Sequence, residues 1–217
     1  MVNFLDPQLL GHDINLLKTL ILTAWTDNID WMVQFTSLSK NAYAERHGYE
    51  YQGCRFDYHP SQHPSWRKLV LIADLMPQFD RLLWIDADAF ITNPSISLDQ
   101  IPYVDGLTVS RDWGVDAGLF DFSAGIMIVT RKAMPLLELA LTKREWENRP
   151  LWDQNALREA SKSFSSLLRI LPRRILNAVP QELLPWAMEP WQEGDFLCHL
   201  TNSSDSDRRA FLEKKFL

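Results

Sequence analysis

The chain of 217 residues carries a net charge of −6 at pH 7, with 46% hydrophobic and 23% charged residues. That length and composition suit a globular protein with a real core, read as a single domain over 1–217, its core at about 18–200 and a tail at 202–217. The acidic balance argues against a nucleic-acid binder, which carries a basic face, and no run approaches the roughly 18 apolar residues of a membrane span.

Met1–Asp13 lacks the basic start and long apolar stretch of a secretory leader. Cys54 and Cys198 form neither a disulfide framework nor a CxxC pair, so a reducing compartment is the expectation, and with it a soluble, cytoplasmic protein. Oligomeric state is left open.

Lys18–Ala24 is a short apolar run with β-branched residues and reads as a buried strand. Asp27 and Asn28 offer turn chemistry before a helix from about Asp30 to His47, which Gly48 ends. Tyr49–Arg55 resumes as a strand, and Tyr58–Pro64 reads as a turn. Ser65 then opens a helix whose Leu69, Ile72, Ala73 and Met76 share one face, and Pro77 stops it. Arg81–Ile85 is an apolar strand running directly into Asp86-Ala87-Asp88. This alternation predicts an α/β protein with a mostly parallel central sheet flanked by helices. In such sheets ligands bind beyond the carboxyl ends of the strands, where the acidic pair falls.

Further on, Gly125–Val129 reads as a strand. Pro135–Trp146 reads as a helix with Leu136, Leu137, Ala140 and Leu141 inward. A short helix over Asp153–Ala160, a short strand over Arg174–Asn177 and a last strand over Phe196–Leu200 complete the pattern. Asn202–Asp207, rich in Ser and Asp, reads as a mobile surface stretch.

Asp86 and Asp88 carry the sharpest chemical signal. Two carboxylates so close repel unless a cation sits between them, and oxygen ligands favour Mn²⁺ or Mg²⁺, which commonly share carboxylates with substrate phosphates. A bare DxD is often only a turn; the buried strand before this one sets it apart from Asp205-Ser206-Asp207. In Gly194–His199, alternation puts Asp195, Leu197 and His199 on one face, leaving His199 either a metal ligand or a structural histidine. Asp153 is most simply a helix N-cap, and Lys68 on an amphipathic helix is ordinarily solvated. Nine tryptophans are many for this length. Trp113, Trp152, Trp186 or Trp191 could stack on a sugar, though each is more simply a packing residue.

The segment Ser65-Trp66-Arg67-Lys68 followed by Leu83-Trp84-Ile85-Asp86-Ala87-Asp88-Ala89-Phe90-Ile91-Thr92-Asn93-Pro94 resembles the DxD region of glycosyltransferase family 34. These are the galactosyl-, mannosyl- and xylosyltransferases typified by yeast galactomannan and plant xyloglucan enzymes. The likeness continues through Ala124-Gly125-Ile126-Met127-Ile128, Asp153-Gln154-Asn155-Ala156, Leu176-Asn177 and Gly194–His199. It implies a GT-A fold, a UDP- or GDP-sugar donor, a glycan or glycoconjugate acceptor, Mn²⁺ dependence and retention at the anomeric carbon. Carried over by position, Asp86, Asp88 and His199 would bind the metal, and Asp153 and Gln154 would lie near the reacting sugar. Lys68, Ala87, Ala124, Gly125 and Gly194 would line the nucleotide-sugar pocket. After the His, family members continue to a lysine that contacts phosphate. Here Leu200-Thr201-Asn202-Ser203-Ser204 intervenes, and that contact is absent or passes to Arg208 or Arg209.

Other readings are a different DxD family on the same fold, glycogenin-like or arabinosyl-type, and an inactive sugar-binding relative. A haloacid dehalogenase-type phosphatase is disfavoured by Phe90 two positions after Asp88.

Overall fold

The computed structural model describes residues 17–58, 63–112 and 121–216. The reading of Met1–Asp13, part of the Tyr58–Pro64 turn and Trp113 lie outside them. In chain order the elements are Thr19–Thr26 (β1), Asp30–His47 (α1), Glu50–Phe56 (β2), Ser65–Leu75 (α2), Arg81–Ile85 (β3) and Ala89–Ile91 (β4). Leu107–Arg111 (β5), Phe122–Thr130 (β6), Met134–Thr142 (α3), Trp152–Ser163 (α4) and Leu168–Leu171 (β7) follow. Arg173–Leu176 (α5), Leu197–His199 (β8) and Asp205–Phe216 (α6) complete the described chain.

A six-stranded sheet in the order β2-β1-β3-β6-β5-β7 forms the centre, with a two-stranded sheet, β4-β8, beside it. β1 pairs parallel with β2 and β3, and β5 parallel with β7. β6 alone in the large sheet runs against its neighbours. The expected α/β sheet, mostly parallel and flanked by helices, is the observed one.

Period-two alternation along the strands builds two cores. Leu20, Leu22, Leu82 and Trp84 face α2, α3 and α4 through Trp66, Leu69, Leu136 and Leu157. Ile21, Leu83 and Ile85 point the other way, toward Tyr43 and Ala44 of α1. Both faces of β3 are therefore covered, which is why its sequence is apolar without interruption. Gly48 ends α1 in the left-handed region at φ 67°, a conformation that costs glycine little.

The second half departs from the sequence reading at several points. The segment Arg174–Asn177, expected as a strand, lies in the helical turn α5 and its exit, and the strand is β7, just before it. Pro172 has no N–H for the ladder and turns the chain into that helix. The helix expected to reach Trp146 ends at Thr142, and a 3₁₀ turn carries Arg144–Trp146. Leu141 of that helix is only half-buried. Asp205–Phe216, read in part as mobile tail, is a helix anchored by the buried Leu212 against Met32, Phe90, Cys198 and Leu200. β4 and β5 are too short or too irregular in pattern to have been distinguished locally.

Candidate active site

β3 ends at Ile85, and the next residue turns into a cleft of about 180 Å³. Among its lining residues are Thr26, His63, Lys68, Asp86, Asp88 and Arg208. Asp86 is held at the sheet by its own N–H, which donates to Gly125 O at 2.8 Å. Trp84 Nε1 donates to Asp86 Oδ1 at 2.6 Å. From below, α1 grips the turn: Thr36 Oγ1 donates to Ala87 O at 2.7 Å and Lys40 Nζ to Asp86 O at 2.9 Å.

His199 reaches the acidic pair through strand pairing. The antiparallel register of β4 and β8 sets Ala89 opposite His199, and Leu200 N donates to Asp88 O at 2.9 Å. Ligand atoms of Asp86, Asp88 and His199 all lie within 4.8 Å of one another. Two residues 113 positions apart in sequence could not have been joined by local pattern. The His199 ring orientation follows from its far side. Asn177 Nδ2 donates to Arg111 O at 3.1 Å, which turns Asn177 Oδ1 toward His199 Nδ1 at 2.8 Å. Nδ1 is therefore the donor, and Nε2 of the neutral ring carries a bare lone pair.

That lone pair is buried and has no hydrogen-bond partner, although Asp88 Oδ1 stands 3.3 Å away. The approach satisfies an ion-pair distance without hydrogen-bond geometry. A lone pair facing a carboxylate at this range calls for a cation between them. Gly125 leaves the room: a Cβ there would fall against the His199 ring and 3.2 Å from Asp86 Oδ2. Arg208 of α6 approaches Asp88 Oδ2 at 3.3 Å. Burial works to raise the Asp88 pKa, but the cations beside it, Arg208 and Lys40 among them, hold the carboxyl below the usual carboxylate range.

Lys68 is buried, not solvated, at 5% exposure. Its ammonium contacts Asp86 Oδ1 and Asp153 Oδ2, each at 3.0 Å, and donates to Ala124 O at 2.8 Å. Burial opposes the charge, yet the two carboxylates prevail and raise Lys68 above the ordinary lysine range. Asp153 is correspondingly not an N-cap. Leu151 takes that position in the left-handed region, and Asp153 is buried inside the first turn of α4. The charged partner on α2 drew it in, a tertiary effect that no local rule contains. Gln154 accepts from Ala124 N at 2.9 Å through Oε1 and donates to Asp112 at 3.0 Å.

The structure thus brings Lys68, Asp86, Ala87, Asp88, Ala124, Gly125, Asp153 and His199 into one connected assembly, with Gln154 at its edge. Gly194 stands apart, in a turn at φ 95° that lines a different cavity with Arg174 and Asp195. Of the tryptophans, Trp152 stacks on His63 with ring centroids 3.5 Å apart. Trp191 donates to Thr92 Oγ1 at 3.3 Å and has the Lys215 ammonium 4.9 Å from its ring, while Trp186 is exposed. Lys40 and His63 carried no sequence signal, because each sits in a helix or loop of ordinary composition.

Residues 20–103 match the model of the galactosyl transferase GMA12/MNN10 family, and this stretch contains Lys68, Asp86 and Asp88. The chain has the GT-A fold. No curated protein matches it in sequence. Among solved structures, a glycosyltransferase involved in glycosylation of the major capsid of PBCV-1 superposes with a TM-score of 0.70 at 16% identity, covering 91% of this chain and 99% of that one. The galactosyltransferase LgtC, solved with donor and acceptor sugar analogs, gives 0.62 at 13% identity, covering 90% and 95%. A Drosophila beta-1,4-galactosyltransferase 7 mutant in complex with manganese, UDP-Gal and xylobiose gives 0.50 at 13%, covering 85% and 71%. At these identities the likeness is one of fold. Among the described residues no helix is long and apolar enough to cross a membrane.

Proposed function

We propose that this chain is a metal-dependent glycosyltransferase that takes a hexose or pentose from a UDP- or GDP-sugar to a carbohydrate or glycoconjugate acceptor, with retention at the anomeric carbon. The observation that carries the reading is the buried, unpartnered Nε2 of His199 beside Asp86 and Asp88. Two carboxylates and one imidazole suit Mn²⁺, with Mg²⁺ second. The manganese and UDP-Gal held by the Drosophila relative on the same fold agree with that choice. Retention rests on the family resemblance alone.

When bound, the metal supplies Lewis-acid stabilisation of charge on the departing diphosphate. The chain's own residues do the rest. Asp86, Asp88 and His199 would hold the ion, and Asn177 keeps the His199 Nε2 lone pair turned toward Asp88. Lys68 and Trp84 fix the Asp86 carboxylate, and Gly125 keeps the approach open. Asp153 acts in this reading through Lys68, and Gln154 through the Ala124 amide. Both are positioning residues: Asp153 stands in an ion pair with Lys68, and both ends of the Gln154 amide are hydrogen-bonded.

The test is hydrolysis of UDP-galactose, UDP-glucose, UDP-xylose and GDP-mannose with Mn²⁺ or chelator, the anomer of the released sugar being read by NMR. Metal-dependent release of one nucleotide with the α-anomer formed first supports the whole reading. Release with inversion would remove the stereochemical part, and binding without release from any donor would indicate an inactive relative.

A further inference from the structure

His63 lines the cleft with one ring nitrogen engaged and the other without a partner among the described residues. Its Nδ1 accepts from the backbone N–H of Ser65 at 3.3 Å and sits 2.7 Å from Ser65 Oγ. A backbone N–H can only donate, so Nδ1 is the acceptor and the neutral ring carries its proton on Nε2. Among the described residues, Nε2 meets no hydrogen-bond partner. One ring face lies flat on Trp152, tilted by 5°, which fixes the plane in which the Nε2–H bond lies. Burial and the Lys68 ammonium pull the His63 pKa down to about 4, with Asp86 opposing, so the ring stays neutral at physiological pH. The result is a rigid neutral donor in the cleft that holds Lys68, Asp86 and Asp88.

We propose that His63 reads the nucleotide sugar: its Nε2–H donates to a hydroxyl oxygen of the donor substrate held in the acidic cleft. This rests on the nucleotide-sugar reading above. A hydroxyl suits the group better than a phosphate does. Phosphate recognition favours a charged donor, and this imidazole is uncharged. A donor locked by stacking and by two contacts on its opposite nitrogen is already oriented, so little rotational freedom is lost on binding. The same features give discrimination, because a substrate lacking the hydroxyl would forfeit this hydrogen bond.

The test uses the full chain with Mn²⁺, the nucleotide sugar that the wild type hydrolyses, and its free nucleoside diphosphate. His63→Phe keeps the stack on Trp152 and removes the N–H; His63→Gln returns an N–H without the ring. His63→Phe should raise the donor KM about ten-fold with kcat little changed, and His63→Gln should recover part of it. If free nucleoside diphosphate loses affinity equally, the hydroxyl is on the ribose; if only the sugar nucleotide does, it is on the transferred sugar. An unchanged KM in His63→Phe overturns the inference. So does equal loss in both variants, which would mean that ring packing alone matters. Failure of the wild type to bind any nucleotide sugar would instead remove the underlying functional reading.

Discussion

Two lysines are buried in the same site, and their surroundings drive them in opposite directions. On the α2 side, Lys68 has two carboxylates at 3.0 Å and is held firmly charged. Beneath the acidic turn, Lys40 is 0% exposed and hydrogen-bonds only neutral oxygens, Asp86 O at 2.9 Å and Thr23 Oγ1 at 3.1 Å. Burial pulls its pKa down to about 7, although Asp88 and Asp86 oppose the shift. Hydrogen bonds to neutral groups do not replace a counter-charge once water is gone. The wall of the site is thus a fixed ion-pair assembly, and its floor is a cation close to losing its proton.

Removing the wall's cation should have the largest effect. Lys68→Met leaves Asp153 buried without its partner and should cost about 3–5 kcal/mol in denaturant unfolding. Adding Asp153→Leu should restore part of that loss, as expected when both members of a buried pair go. If the single variant is as stable as wild type, the ion pair is not what organises α2 against α4.

Lys40 should reveal itself through pH. Between about 7 and 10.5, its folded pKa and its ordinary value, the unfolded chain binds a proton that the folded chain does not. Stability should therefore rise with pH across that window, by up to about 1.4 kcal/mol per unit from this group. Unfolding measured across the range should show the rise flattened in Lys40→Met. An equal slope in both proteins would place Lys40 among ordinary charged lysines.

Gly125→Ala sharpens the comparison at the shared centre. The added methyl should cost about 1–3 kcal/mol of stability through overpacking and lower Mn²⁺ affinity at least about ten-fold by displacing His199. Mn²⁺ titration followed by electron paramagnetic resonance checks this; unchanged affinity would exclude His199 as a ligand. The smallest effect belongs to Arg208, whose guanidinium neighbours Asp88 from the terminal helix. Arg208→Gln should tighten Mn²⁺ binding about two- to five-fold in the same titration, the scale of one partly exposed ion pair. Weaker binding would mean that Arg208 helps to hold the site open for the ion.

What the sequence disclosed divides along the same line. α1 begins and ends where the Asp27-Asn28 turn and Gly48 place it, and β3 is legible because a strand buried on both faces is apolar throughout. Asp86 and Asp88 were legible because that strand precedes them. The roles of Lys68 and Asp153 were not: locally they read as a solvated lysine and an N-cap. Only the packing of α2 on α4 makes them a buried pair. Asp205–Phe216 was obscured by its polar start, since its single deeply buried residue, Leu212, gives almost no amphipathic signal. His199 could be nominated from sequence, but the lone pair that makes it a candidate ligand depends on Asn177 and Arg111, in other elements.

The central claim is tested most directly by nucleotide release from the four nucleotide sugars, in the presence of Mn²⁺ or chelator, by the wild type and Asp88→Ala. The account predicts slow release from one donor that requires the metal and disappears in Asp88→Ala. Release that persists with chelator, or that survives the substitution, would contradict it, and the acidic pair would then be a turn at the end of a buried strand.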